Sequence, residues 1–120
     1  SNPLSLKSAI KNFDKVNSKK SNKYLLIGDM LELGSHSKKL HESIAPIINK
    51  TKIDKVFVKG KMASIIFAGI SKAKKGKILL KNSQIIELIR KDLNNNDYLM
   101  IKASLATGFN DIVKDLKGLH

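Results

Sequence analysis

Polar residues follow each of four short apolar runs, and these positions are the first candidates for chemistry. They are Gly28-Asp29, Gly60-Lys61, Lys81-Asn82 and Lys102-Ala103-Ser104. Asp29 is the only acidic residue among them. A carboxylate at such a position can hold a ribose hydroxyl or order a cation-bound water. Spacing alone leaves an equal alternative, in which Asp29 caps a turn.

Lys102 and Ser104 form a second candidate group, because Thr107-Gly108 and a short apolar segment follow them. Backbone N–H groups at the start of a helix favour anions, so this segment can hold a carboxylate or a phosphate. Spacing alone favours the simpler alternative of a capped helix with a solvated lysine.

The histidines and cysteines offer little for a metal site. His36 and His41 are five residues apart and do not share a helical face well. We interpret His41 as a packed or capping residue, and the chain contains no cysteine. The chain contains no Gly-x-x-x-x-Gly-Lys-Ser/Thr loop to bind the phosphates of ATP, so we do not expect it to be an independent ATPase.

Short apolar runs alternate with segments of helical periodicity. The runs predict strands over 24–27, 56–58, 78–80 and 98–101. Helices are predicted over 3–16, from Ser37 to 48, over 62–70, from Ser83 to 93, and over 109–117. Asn2 is the expected N-cap of the first helix and Pro3 its first residue. Pro46 is expected to kink the second helix, and Ser83 to cap the fourth. Strands and helices that alternate in this way predict one α/β domain with an open, mostly parallel sheet and helices on both faces.

Length and charge set the class of protein. The 120 residues are enough for one domain with a real core, and no apolar run is long enough to span a membrane. We therefore expect a soluble, cytoplasmic domain. The net charge is +13, but Arg90 is the only arginine and the lysines are scattered, which argues against nucleic-acid binding. Because the chain opens on a helix with no strand before it, we expect a domain of a longer protein.

Three segments carry a resemblance to a known family. They are Asn2-Pro3 with Ser5 and a helix, the sequence GDMLELG at 28–34 followed by Ser37 and His41, and the sequence IKAS at 101–104 followed by Thr-Gly. In this order and spacing, the chain resembles the C-terminal domain of the bacterial Mur ligases. GDMLELG with the downstream histidine is typical of the branch that adds D-alanyl-D-alanine to UDP-N-acetylmuramoyl-tripeptide.

The resemblance implies a Rossmann-like fold and a defined place in a larger enzyme. Residues 1–120 would be the third domain, after an N-terminal UDP-binding domain and a central ATPase domain. Similar enzymes use ATP and Mg²⁺, bound mainly by the central domain, to form an acyl phosphate that the amine of the dipeptide attacks. The implied partners are the tripeptide nucleotide, D-alanyl-D-alanine and the enzyme's own other domains. A monomer is expected, with no membrane partner and no turnover by this fragment alone.

The resemblance also assigns residues. Asn2 matches an asparagine near the adenine of ATP, and Asp29 matches an aspartate near the ribose. Lys102 and Ser104 match residues expected to bind the acceptor dipeptide, with Ala103 where relatives commonly have glycine. The motif residues with an implied structural role are Gly28, Gly34 and His41. The resemblance implies no catalytic residue and no metal ligand within residues 1–120.

Two alternatives remain at this point. One is a non-enzymatic basic α/β module that binds nucleotides or nucleic acid through the lysine surplus, and salt-dependent binding would reveal it. The other is a free-standing flavodoxin-like or response-regulator-like domain. Such a domain needs a cluster of acidic residues at the strand ends for Mg²⁺, and this sequence has no such cluster there.

Overall fold

The structure is a computed structural model, and it describes residues 3–17, 19–29 and 37–103. Its elements, in chain order, are α1 (Pro3–Asp14), β1 (Lys23–Gly28), α2 (Ser37–Glu42), α3 (Ile44–Asn49), β2 (Lys55–Lys59), α4 (Lys61–Ala68), a 3₁₀ turn (Lys72–Lys74), β3 (Lys75–Ile78), α5 (Asn82–Lys91) and β4 (Tyr98–Lys102). None of the described helices is long and apolar enough to cross a bilayer.

The four strands form one parallel sheet in the order β3-β2-β1-β4. Side chains alternate between the two faces of a strand, and both faces of β1 are buried. Leu25 and Ile27 pack in a core with α1, α3 and α4, whereas Leu26 packs on the opposite face with α5. The predicted parallel α/β sheet with helices on both faces is therefore confirmed.

The start and end of α1 follow the sequence closely. Pro3 is the first described helical residue, as predicted, and the helix ends at Asp14 rather than at residue 16. The buried Lys23 explains this end, because its Nζ donates a hydrogen bond of 2.7 Å to the Asp14 carbonyl oxygen. A cation at a helix C-terminus satisfies a free carbonyl group and complements the helix dipole.

The third strand was predicted at the wrong residues. The apolar run at 78–80 indicated it, but β3 spans Lys75–Ile78, and the Leu80 side chain is 78% exposed. β3 lies at the edge of the described sheet, and its Lys75 and Lys77 are residues that edge strands commonly carry. An edge strand needs little apolar character, so hydrophobicity gave the wrong position.

Two helix predictions also need correction. The segment after Ser37 is two short helices with a break at Ser43, rather than one helix kinked at Pro46. Proline has no N–H for the Glu42 carbonyl, four residues earlier, and its ring crowds that carbonyl, so the helix stops there. In addition, Lys81 rather than Ser83 is the N-cap residue of α5. Gln84 completes this cap, because its Oε1 accepts the Lys81 N–H at 2.9 Å. The predicted helix over 109–117 lies outside the described residues.

Candidate functional site

The carboxyl ends of β1 and β4 border the crevice where a ligand is expected in this sheet. From β1 the chain proceeds to β2 and then β3 on one side, whereas β4 lies on the other side of β1. Neighbouring strands whose connections leave in opposite directions form a switch point, and open α/β sheets bind ligands at its carboxyl edge. Asp29 and Lys102 lie at these two strand ends, so the structure brings these predicted residues to one edge.

Asp29 lies one residue beyond β1, and its carboxylate contacts α4. Its Oδ1 accepts a hydrogen bond of 2.8 Å from the backbone N–H of Ala63, the third residue of that helix. The first N–H groups of a helix have no partner within the helix, and a carboxylate satisfies one of them while complementing the positive helix end. Asp29 therefore caps the first turn of α4, the helix that follows the neighbouring strand β2.

Gly60 forms the other side of this contact. It is the N-cap residue of α4, with φ 116° and ψ 160°, and it has the one positive φ among the described residues. A Cβ atom built on Gly60 would overlap the Asp29 carboxyl carbon and Oδ1, and would stand 2.6 Å from Oδ2. The Asp29 carboxylate thus lies directly against the glycine backbone. In the sequence Gly60 is recognisable only as a strand-end residue, and no local pattern predicts its contact with Asp29.

Lys102 is the last residue of β4 and pairs in register with Ile27 of β1. Paired residues of parallel strands present their side chains on the same face, so Lys102 lies on the face that carries α1, α3 and α4. Asp29 contacts α4 and therefore lies toward that face as well. The crevice edge carries an acidic and a basic side chain on the same side of the sheet.

Helix α1 begins near this same edge. Its last residue, Asp14, accepts two hydrogen bonds at the amino end of the sheet. The Asp14 carbonyl oxygen accepts one from Nζ of Lys23, the first residue of β1, and Oδ1 accepts one from the N–H of Lys52, shortly before β2. A helix of 12 residues is about 18 Å long, close to the roughly 20 Å of the six-residue β1. The helix packs along the sheet, so its first residue, Pro3, lies toward the carboxyl ends of the strands.

The remaining predicted residues divide into two groups. Gly28 is buried as the last residue of β1, and His41 is fully buried in α2, which packs against α3 and α4. His41 therefore lies inside the helix layer. The predicted residues Asn2, Gly34, His36 and Ser104, together with Thr107-Gly108, lie outside the described residues.

A surface hollow of about 480 Å³ lies at the amino end of the sheet. Asp14, Lys15, Lys23 and Lys52 contribute to its walls. Asp14 ends α1, and the C-terminal end of a helix repels anions, so we do not interpret this hollow as a phosphate site. Over residues 3–17, 19–29 and 37–103, no three His, Asp or Glu side chains are grouped so as to hold a metal ion.

Strand order 3-2-1-4, helices on both faces and polar residues at the switch point define a Rossmann-like, doubly wound α/β domain. Two solved structures share this fold. MurF ligase from Thermotoga maritima in complex with ADP has a TM-score of 0.76 and 22% identity, covering 95% of this chain and 25% of that chain. MurF from Acinetobacter baumannii has a TM-score of 0.74 and 22% identity, covering 97% and 25%.

The chain belongs to the Mur ligase family, because the family described as Mur ligase, glutamate ligase domain, matches residues 1–105. The UDP-N-acetylmuramoyl-tripeptide–D-alanyl-D-alanine ligase of Bacillus subtilis (strain 168) is 31% identical over 117 residues, 95% of this chain. The ligase of the same name from Rickettsia prowazekii (strain Madrid E) is 29% identical over 111 residues, 92% of this chain. The chain spans about a quarter of the length of these relatives, 25% and 24%.

Proposed function

We propose that this chain is the C-terminal domain of a three-domain, ATP-dependent ligase that adds D-alanyl-D-alanine to UDP-N-acetylmuramoyl-tripeptide in peptidoglycan synthesis. The observation that carries the proposal is the 31% identity, over 117 residues, to a ligase of that name. The strand-end crevice with Asp29 and Lys102 supports it, because it supplies groups suited to a nucleotide and to an anionic dipeptide.

In this proposal the peptide carboxylate of the tripeptide attacks the γ-phosphorus of ATP, the bond to the β–γ bridging oxygen breaks, and an acyl phosphate and ADP form. The amine of the dipeptide attacks the acyl carbon, and phosphate leaves from the tetrahedral intermediate. Mg²⁺ and most of the phosphate contacts would belong to the central domain, as the resemblance to the Mur ligases implies. The enzyme would work in the cytoplasm, where ATP and the nucleotide-linked precursor are available.

The contribution of this domain is orientation and protection. Closure over the central domain holds the amine near the acyl carbon and excludes water that would hydrolyse the acyl phosphate. Asp29 accepts a hydrogen bond from a ribose hydroxyl, while Asn2 lies near the adenine. Lys102 and Ser104 hold the carboxylate of the dipeptide, since an ammonium group forms a charge-assisted hydrogen bond with a carboxylate.

A basic binding module is the alternative function, and the structure gives it less support. Three lysines donate to backbone carbonyl oxygens of their own domain: Lys23 to Asp14, Lys55 to Ala73, and Lys74 to both Thr51 and Ile53. Part of the positive charge is therefore used to hold loops and helix ends together. Binding of duplex DNA that weakens steeply with salt would favour this alternative.

The isolated 120-residue chain is expected to have no ligase or ATPase turnover. It lacks a phosphate-binding loop, and its described residues hold no metal site. A phosphate-release assay with ATP, Mg²⁺, tripeptide nucleotide and D-alanyl-D-alanine should give the buffer rate.

The full-length enzyme, assayed at the same concentration, is the positive control for that experiment. Phosphate release that depends on both the tripeptide nucleotide and the dipeptide is expected only from the full-length enzyme. Turnover by the isolated chain well above the buffer rate would contradict its assignment as a non-catalytic closing domain.

A further inference from the structure

We propose that Gly60, with the first turn of α4, positions the Asp29 carboxylate for the nucleotide, so that ATP affinity depends on a glycine that does not contact ATP. The proposal rests on the proposed role of Asp29 as a ribose ligand. Gly60 is thus a positioning residue, which acts through Asp29 rather than on the substrate.

The first observation is the close contact between the two residues. Gly28 of β1 is in register with Lys59 of β2, so the next residue of each strand, Asp29 and Gly60, also lie side by side. The absence of a side chain at Gly60 lets both carboxylate oxygens lie against its backbone, because a Cβ atom would occupy their place. Any larger residue at position 60 has to displace the carboxylate.

The second observation is a hydrogen bond to the same carboxylate from the first turn of α4. The Ala63 N–H points at Oδ1 from the first turn of α4, over 2.8 Å. Gly60 therefore limits where the carboxylate lies, and Ala63 determines which oxygen faces the helix. A side chain held by two contacts has lost its rotamer freedom before the ligand arrives, which makes binding more favourable.

The backbone of Gly60 makes the position sensitive to substitution. Its φ of 116° is a conformation that residues with a Cβ rarely adopt, so alanine there has to change both the backbone and the carboxylate. The disturbance is transmitted to the crevice edge, because Asp29 continues directly from the buried end of β1.

The test is Gly60→Ala in the full-length ligase, with steady-state kinetics at saturating tripeptide nucleotide and dipeptide. The KM for ATP is expected to rise about tenfold, with kcat changed less than about twofold, since the lost contact serves ATP binding. The melting temperature is expected to fall by about 5 °C. A purely structural role for Gly60 predicts the fall in melting temperature with an unchanged KM, and this result would overturn the proposal.

Gly69→Ala is the matched control. Gly69 follows the last residue of the same helix, and its added Cβ would stand 2.7 Å from the Ala45 Cβ, away from Asp29. Its φ of −91° is ordinary, so this variant disturbs packing alone. It should lower the melting temperature and leave the KM for ATP within about twofold of the parent value. An equal rise in KM would mean that general destabilisation causes the effect, and would overturn the proposal.

Asp29→Asn and the double variant separate this proposal from the proposed function. If Gly60 acts through Asp29, Gly60→Ala should add little to the KM of Asp29→Asn, whereas independent effects would multiply. A raised KM in Asp29→Asn with a normal KM in Gly60→Ala refutes the positioning role and leaves the proposed function intact. A normal KM in both refutes the ribose contact itself. A raised KM in Gly60→Ala alone shows an action that bypasses Asp29, and also overturns the proposal.

Discussion

Replacing Leu26 with alanine is expected to lower the free energy of unfolding of this chain by about 2–5 kcal/mol. Leu26 is fully buried in the central strand β1, and it packs with Phe57, Leu79, Ile85 and Leu88 beneath α5. Truncation removes apolar contacts and leaves a cavity that the surrounding sheet and helix fill only in part. Urea unfolding followed by circular dichroism measures the change.

Leu80→Ala is the matched control for this prediction. The same atoms are removed, but the Leu80 side chain is 78% exposed and contributes little burial. Its free energy of unfolding should stay within about 0.5 kcal/mol of the parent value. Equal losses in the two variants would contradict the boundaries of β3 and the packing of α5 on the sheet.

Asp29→Asn is expected to raise the KM for ATP of the full-length ligase by about ten- to hundredfold. A hydrogen bond from a ribose hydroxyl to a charged acceptor contributes about 1.5–3 kcal/mol, which corresponds to this range. The amide of asparagine keeps an oxygen acceptor for the Ala63 N–H, so the helix cap remains. Steady-state kinetics with ATP as the varied substrate provide the measurement.

The cap and the nucleotide contact are separated by a second substitution. Asp29→Ala removes the acceptor altogether and is expected to destabilise the chain by about 1 kcal/mol, as for other N-cap side chains. Asp29→Asn should then melt close to the parent protein, whereas Asp29→Ala should melt several degrees lower. Normal ATP kinetics in both variants, with a lower melting temperature in Asp29→Ala, would show that Asp29 caps α4 and does not bind the nucleotide.

The strands β1 and β2 and the start of α1 could be predicted because their local signals agree. β1 and β2 contain short runs of Leu, Ile, Val and Phe, a composition typical of buried parallel strands. Gly28 ends β1, and Gly60 directly follows β2. α1 begins at Pro3, a residue suited to the first helical position. Residues 1–105 also match a known family, which agrees with the predicted Rossmann-like fold.

The wrong position of β3 arises because neighbouring elements override the local signal. Leu79 is buried although it follows β3, because its N–H bonds to the Val58 carbonyl oxygen at 2.7 Å and its side chain joins the core beneath α5. Leu80, the next residue, is exposed. Three successive apolar residues at 78–80 look alike in the sequence, and only the position of β2 and α5 distinguishes them.

The candidate site shows the same division between local and tertiary information. The sequence by itself determined that Asp29 follows a buried strand and that Lys102 ends another, since hydrophobic runs and the polar residues after them are local features. Only the tertiary structure decided that Asp29 lies against Gly60 and bonds to Ala63, 34 residues further along the chain. Strand order and register bring these residues together, and no local pattern encodes them, because they result from the packing of all the strands and helices at once.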